Sequence, residues 1–381
     1  MNAPQQAFAD APRAVSTPEV ERIALVGPLP PPSGGMANQA LQLAGLLRDA
    51  GIEVDFVQTN APYRPAWAGK LRGVRALFRM LPYLSHLWRA AGRVQVFHVM
   101  ANSGWSWHLF AAPAIWIAHL RGTPVVVNYR GGEAANFLDR AAAWMRPSLR
   151  RSAALAVPSG FLAHVFGQHG IDSVVVPNIV NLERFVAAAV PRAPGGLRLL
   201  VARNLEDIYD NASALRAFAL VRLAHPEAQL TVAGSGPLRS ELEQLAQDLG
   251  VAHAVRFTGR VDTADMPELY RNADIMLNPS LVDNMPNSVL EALASGALVV
   301  STNVGGVPYV VEDGRTAMLV PPADPAAMAQ AVLRLADEPA LAEALRNAGR
   351  ASVAQYAWPS VKPRLLDVYR QAMASKGGRC P

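Results

Sequence analysis

The chain has 381 residues, a net charge of +5 and 51% hydrophobic residues, the profile of a soluble globular protein for which two domains are the default. Its one cysteine, Cys380, lies beside the C-terminus, so neither a disulfide framework nor a cysteine metal cluster can form. The longest apolar run, residues 105–120, is interrupted by His108 and His119 and is too short to cross a bilayer comfortably. The polar start has no basic end followed by an apolar core, so it reads as a flexible tail, and a cytoplasmic location is expected.

The elements alternate from residue 22 onward. A short apolar strand (22–27) leads into a loop with Gly34 and Gly35, then a helix over 36–50 ended by Gly51, then a strand over 53–57. A Gly-Gly turn opening a helix either makes a tight turn or offers backbone amides to an anion. It lacks the G-x-G-x-x-G spacing of a dinucleotide site. Residues 70–93 follow as a basic amphipathic helix that Pro82 kinks or restarts, with Arg72, Arg75 and Arg79 on one face. No acidic residue stands between Asp55 and Glu133, whereas Arg64, Lys70, Arg72, Arg75, Arg79, Arg89, Arg93, Arg121 and Arg130 do. This basic first half points to an anionic partner: a membrane surface, a phosphorylated acceptor or nucleic acid. Nothing resembles a nucleic-acid module, which leaves a membrane surface met through Lys70, Arg72, Arg75 and Arg79, or an ordinary surface helix.

Buried strands over 94–99 and 124–128 flank a helix over 105–120, and Arg130 follows the second strand in an Arg-Gly-Gly-Glu loop. A strand over 153–158, a helix over 161–169 and a strand over 174–178 complete a first α/β domain, residues 21–178 after a tail of 1–20. Residues 179–196 form an irregular, Pro- and Gly-containing linker. A second α/β domain, residues 197–357, opens with a strand ending before Arg203, then a helix starting near Asn211. Next come a strand running into Gly234-Ser235-Gly236-Pro237, a helix over 238–249, a strand over 255–259 and a loop with Val261. A strand over 274–280 then enters a loop with Asp283, Asn284, Met285, Pro286 and Asn287. A helix over 288–295 carries Glu291, Gly296 ends it, and a strand over 297–304 leads to Gly305 and Gly306, which begin another helix. A helix over 325–335 and a closing helix over 360–373, within a final segment 358–381, finish the chain.

The run from Asp283 through Glu291 and Gly296 to the Val-Gly-Gly-Val-Pro segment resembles the signature of the family 4 retaining glycosyltransferases. These use nucleotide-sugar donors and have the GT-B fold, two Rossmann-like α/β domains facing across a cleft. The resemblance covers nearly the whole chain in order and departs from the family pattern at three points. Asp283 stands where the first acid is usually Glu, Arg130 replaces a His, and a Lys expected a few residues after Arg203 is absent. By matched position it implies that Glu291 accepts hydrogen bonds from the donor ribose. Asp283 and the amides of residues 284–287 then hold the sugar. Arg203, with amides at Gly35, Gly305 and Gly306 and help from Arg130, binds the diphosphate. Gly34, Gly234, Gly236 and Val261 border the nucleotide. No metal or cofactor beyond the donor is implied. The acceptor is a glycan or polyprenyl-linked molecule of cell-surface or exopolysaccharide synthesis, met on the inner face of the membrane. A sugar-nucleotide epimerase and a non-catalytic relative of the same architecture stand as alternatives.

Overall fold

The computed structural model describes residues 19–31, 34–63, 65, 67, 75–132, 134–187 and 196–375, with Arg75 and Leu77 as backbone only. In the first half, β1 (Arg22–Gly27), α1 (Gly35–Asp49), β2 (Glu53–Gln58), α2 (Arg75–Ala91) and β3 (Val96–Ala101) come first. A π turn (Trp107–Ala111) then runs into α3 (Ala112–Leu120), followed by β4 (Val125–Tyr129), α4 (Ala134–Leu149), β5 (Ala154–Val157), α5 (Gly160–Gln168) and β6 (Val174–Val175). The strands form one parallel sheet in the order β2-β1-β3-β4-β5-β6. Every residue of β3 and β4 is buried, because helices cover both faces of a parallel sheet; hence their continuous apolar runs.

The second half repeats this plan. Its elements are β7 (Arg198–Ala202), α6 (Asn211–Ala224), β8 (Gln229–Ala233), α7 (Arg239–Asp248), β9 (Val255–Gly259) and α8 (Met266–Asn272). They continue with β10 (Ile275–Asn278), α9 (Asn287–Ala294), β11 (Leu298–Thr302), β12 (Met318–Val320), α10 (Pro325–Asp337) and α11 (Pro339–Ser352), and α12 (Trp358–Ala374) closes the chain. The sheet order is β12-β11-β10-β7-β8-β9, again all parallel. Local chemistry sets the helix ends. The side chains of Asp210 and Asp324 cap α6 and α10 by accepting from the amides of Ser213 and Ala327. Gly296, at φ +79, ends α9 in the left-handed conformation.

Each sheet has a switch point where successive strands leave in opposite directions: between β1 and β3 in the first, and between β7 and β10 in the second. In open α/β sheets such crevices, beyond the carboxyl ends of the strands, are where ligands sit. The two crevices face one another. Helix α12 does not pack on the second sheet. Its Val361, Leu365, Val368, Tyr369 and Ala372 join the core formed by β1, β3 and α1. Tyr369 lies wholly buried with its hydroxyl 2.8 Å from His98 Nδ1.

Several elements differ from the sequence expectation. Helix α2 continues through Pro82, which faces solvent, because buried Tyr83, Leu87 and Ala90 anchor the helix across it. Helices α4 and α11 have no counterpart among the expected elements. Yet α4 buries Ala134, Leu138, Ala141 and Met145 at helical spacing. The strand expected over 174–178 stops at Val175; Pro177 lacks an amide and the chain turns there toward the cleft. The helix expected to start at Gly305 is a single 3-10 turn, Val307–Tyr309. Of the expected membrane-facing residues, Lys70, Arg72 and the Arg75 side chain lie outside the described residues. Arg79 stands over the Tyr63 ring at 4.3 Å with its Nε buried. No helix among the described residues is long and apolar enough to cross a membrane.

Candidate functional site

A cavity of about 890 Å³ joins the two switch points. From the first sheet it is lined by Gly34, Gly35 and Arg130. From the second it is lined by Arg203, Gly234, Val261, Asp283, Asn284, Met285, Pro286, Asn287 and Glu291. Helix α1 starts at its edge with no side chain capping the first turn, and the Cα atoms of Gly34 and Gly35 leave open space beside them. A helix N-terminus with uncapped amides favours an anion there.

Arg203 leaves the end of β7, and β10 beside it ends at Asn278, a fully buried residue. The Asn278 Oδ1 accepts from Arg203 Nε at 2.8 Å and from Ser280 Oγ at 2.8 Å, and its Nδ2 donates to Ser301 Oγ at 2.9 Å. This buried amide network orients the guanidinium, whose Nη2 forms an ion pair with Asp283. Both side chains are close to nine-tenths covered, 11% and 10% exposed. Burial pushes the Asp283 carboxyl above the usual carboxylate range, while Arg203 and the amides of Asn284 and Met285 act in the opposite direction. Asp283 and Arg203 thus hold one another in place.

Glu291 lies on α9 and accepts from the Tyr270 hydroxyl at 2.9 Å. Burial pushes its carboxyl from the usual 4.5 up to about 7, offset by the Tyr270 hydrogen bond and the charges of Arg184 and Arg203. Arg130, at the end of β4, donates from Nε to Asn128 Oδ1 at 3.1 Å and from Nη1 to Asn178. Both partners are neutral, and burial lowers the Arg130 guanidinium to about 10. Behind it, Asn128 Nδ2 donates to His98 Nε2 at 3.1 Å, which leaves the proton of this neutral imidazole on Nδ1, facing Tyr369. Burial and the Arg130 charge lower His98 to about 3.

Three expected residues lie behind the cavity wall instead of lining it. The Gly306 amide donates to the Asp283 carbonyl at 2.8 Å, so it is not free for a phosphate. A Cβ at Gly306 would stand 1.7 Å from the Asn284 carbonyl oxygen, and one at Gly305 would be 2.3 Å from that of Asp283. Gly305 and Gly306 therefore let two loops meet, and their placement corrects the phosphate role expected of them. Gly236 similarly backs the Leu205 carbonyl. The loop after Arg203 brings no cation, but its acids are turned away: Asp210 caps α6, and Glu206 accepts from Asn204 Nδ2 at 3.1 Å.

The sequence expectation missed Tyr270, Asn278 and Arg184, whereas Arg260 adjoins the expected Val261. Tyr270, Arg184 and Arg260 line the cavity, and Asn278 lies beneath it. Asn278 had a readable signal, an amide inside an apolar strand; the others meet Glu291 or the cavity from distant segments. Among the described residues the lining carries four guanidinium groups against two carboxylates. That surplus suits a ligand bearing about two negative charges, held where the effective dielectric is low.

Comparison with known proteins agrees with this geometry. Residues 198–338 match the family model for glycosyl transferases group 1, and residues 33–184 match that for glycosyltransferase family 4. A D-inositol 3-phosphate glycosyltransferase from Streptomyces avermitilis is 33% identical over 55% of this chain and 49% of its own. A glycogen synthase from Mycobacterium tuberculosis is 29% identical over 72% of this chain and 69% of its own. The match to the first thus spans about half of that relative's length. Among solved structures, a sucrose-phosphate synthase from Thermosynechococcus elongatus superposes with a TM-score of 0.73 at 21% identity, over 93% of this chain and 100% of that one. Anabaena HepE in complex with UDP gives 0.69 at 14% identity, over 91% and 98%. These likenesses establish the fold as GT-B, two Rossmann-like domains facing across a cleft. With both halves matched in order by the two models, the chain belongs to the group 1, family 4 glycosyltransferases.

Proposed function

We propose that this protein transfers a sugar from a nucleoside-diphosphate sugar to a glycan or lipid-linked acceptor, with retention of anomeric configuration, in cell-surface polysaccharide synthesis. The observation that carries the proposal is the cavity that joins both switch points and, among its described lining residues, holds an excess of guanidinium charge beside Glu291. Glu291, oriented by Tyr270, accepts hydrogen bonds from the ribose hydroxyls. Arg203 and Arg130 stabilise the diphosphate as the glycosidic bond breaks, aided by the uncapped start of α1. Guanidinium charge does here what a metal ion does in other transferases. Asp283 holds Arg203 in place and, with the amides of residues 284–287, borders the sugar. The names of the relatives support the activity, and HepE was captured with UDP.

Thermal-shift screening with UDP, GDP and ADP sugars tests the donor assignment; stabilisation by one of them is expected. Glu291→Ala should abolish sugar transfer. Near wild-type transfer by that variant would overturn the site, and no stabilisation by any nucleotide would favour a non-catalytic protein.

The acceptor side is proposed to meet the inner face of a membrane. Support comes from exposed Trp105, Leu109, Trp116 and Leu120, spaced one or two helical turns apart just before and along the π turn and α3, with Trp144 on neighbouring α4. Trp105 and Trp144 are 78% and 77% exposed, uncommon for tryptophan outside an interface. Arginines lie against this surface: Arg121 is 4.9 Å from the Trp88 ring and Arg151 is 3.8 Å from that of Trp116. Aromatic rings beside basic groups suit the headgroup region of an anionic bilayer.

A further inference from the structure

We infer that Arg184, on the segment joining the two domains, is a further cation that holds the donor diphosphate beside Arg203 and Arg130, in place of the lysine that the loop after Arg203 lacks. This inference rests on the donor-binding reading above.

Arg184 lines the cavity, and its Nη2 is buried without a hydrogen-bond partner among the described residues. A buried, unpaired guanidinium nitrogen costs free energy unless something fills that position. The residue is also held ready. Asn181 Oδ1 accepts from the amides of Glu183 and Arg184, each at 3.0 Å, and the Asn181 carbonyl accepts from those of Arg184 and Phe185 at 3.3 and 3.0 Å. These bonds fold residues 181–185 into a tight turn. The Arg184 guanidinium lies 5.5 Å from the Phe185 ring centre, and that ring packs against Tyr270 at 5.9 Å. Tyr270 in turn donates to Glu291. The Arg184 charge therefore stands on the Glu291 side of the cavity, where the ribose is proposed to bind and the first phosphate must follow. Its charge is felt by Glu291, yet the two form no ion pair, so the guanidinium remains available to a ligand. Arg203, by contrast, is paired with Asp283.

The test compares binding of nucleoside diphosphates and of the corresponding nucleosides to wild type, Arg184→Gln and Arg184→Lys by calorimetry at pH 8.5, where Glu291 is ionised. UDP, GDP and ADP with uridine, guanosine and adenosine are the probes. Loss of a charge-assisted contact should weaken diphosphate binding by Arg184→Gln roughly 10- to 100-fold, with nucleoside binding unchanged and Arg184→Lys recovering most of the loss. Diphosphate binding by Arg184→Gln at wild-type strength would overturn the inference. So would an equal loss for nucleoside and diphosphate, which would mark a purely structural role. If Arg184→Gln fails to fold, Arg184→Met takes its place: a loss confined to the diphosphate supports the inference, and diphosphate binding at wild-type strength overturns it. A wild type that binds no nucleotide defeats the donor reading itself.

Discussion

At the residue scale, Glu291 carries a conflict between stability and ligand binding. Its folded carboxyl titrates near 7 against a usual 4.5, so the folded state holds the proton more tightly than the unfolded state. The stability it contributes is fully present below about 4.5 and is lost as pH rises to about 7. Glu291→Gln keeps an oxygen for Tyr270 but never ionises. Its melting temperature should match wild type near pH 4.5, exceed it increasingly up to about pH 7 and keep that margin above. A constant difference across that range, read by calorimetric scans, would show that the carboxylate is not penalised by burial. The same residue illustrates what the sequence could reveal. Asp283 and Glu291 were legible because one short loop and one helix bring both to the cavity. Tyr270, Arg184 and Asn278 were not, because their roles come from contacts between strands and segments far apart in the chain, and no local pattern encodes them.

At the element scale, the Gly305-Gly306 turn acts by shape. It lets the segment after β11 press on the carbonyls of Asp283 and Asn284, and so fixes the height of the loop that borders the cavity. Gly306→Ala would push that loop outward; a loss of about 1–3 kcal/mol in urea unfolding is expected, as for other overpacked positions. Wild-type stability for this variant would mean that the loop yields freely. Strand–helix alternation was legible almost everywhere because apolar runs and helical spacing are local. The misses have local causes too. The segment after Gly306 forms a single 3-10 turn, and α4 had the spacing of a helix without a strong capping signal at its start. Helix α12 adds a buried link between distant segments. Tyr369→Phe removes the acceptor of the His98 Nδ1 proton at a site closed to water. That should cost about 1–3 kcal/mol, and Arg130, three hydrogen bonds away, should bind donor less well. Unfolding and nucleotide titration of this one variant read both effects.

At the scale of the whole molecule, the uneven charge of the sequence becomes a surface with a direction. The cavity faces one way and the tryptophan stripe covers the outer helices of the first domain. Trp105→Ala combined with Trp144→Ala should reduce sedimentation with vesicles containing phosphatidylglycerol several-fold and leave nucleotide-induced stabilisation intact. Equal sedimentation of variant and wild type would remove this surface from the proposal. The chain also crosses between its domains twice, outward after β6 and back before α12. The crossings touch: the Val180 amide donates to the Tyr356 carbonyl at 2.9 Å. Two adjacent crossings leave the domains one easy relative motion, a rotation about the line through Val180 and Tyr356. Groups near that axis hardly move, while those at the far lip travel with the full lever arm. Arg184 sits four residues from Val180, and the Asn284 side-chain amide, by donating to the Gly131 carbonyl, bridges the two domains. Asn284→Ala should thus enlarge the radius of gyration in X-ray scattering without nucleotide, and saturating nucleoside diphosphate should restore the closed value. The axis would then act as a fixed reference, with one phosphate contact set beside it before the cleft shuts.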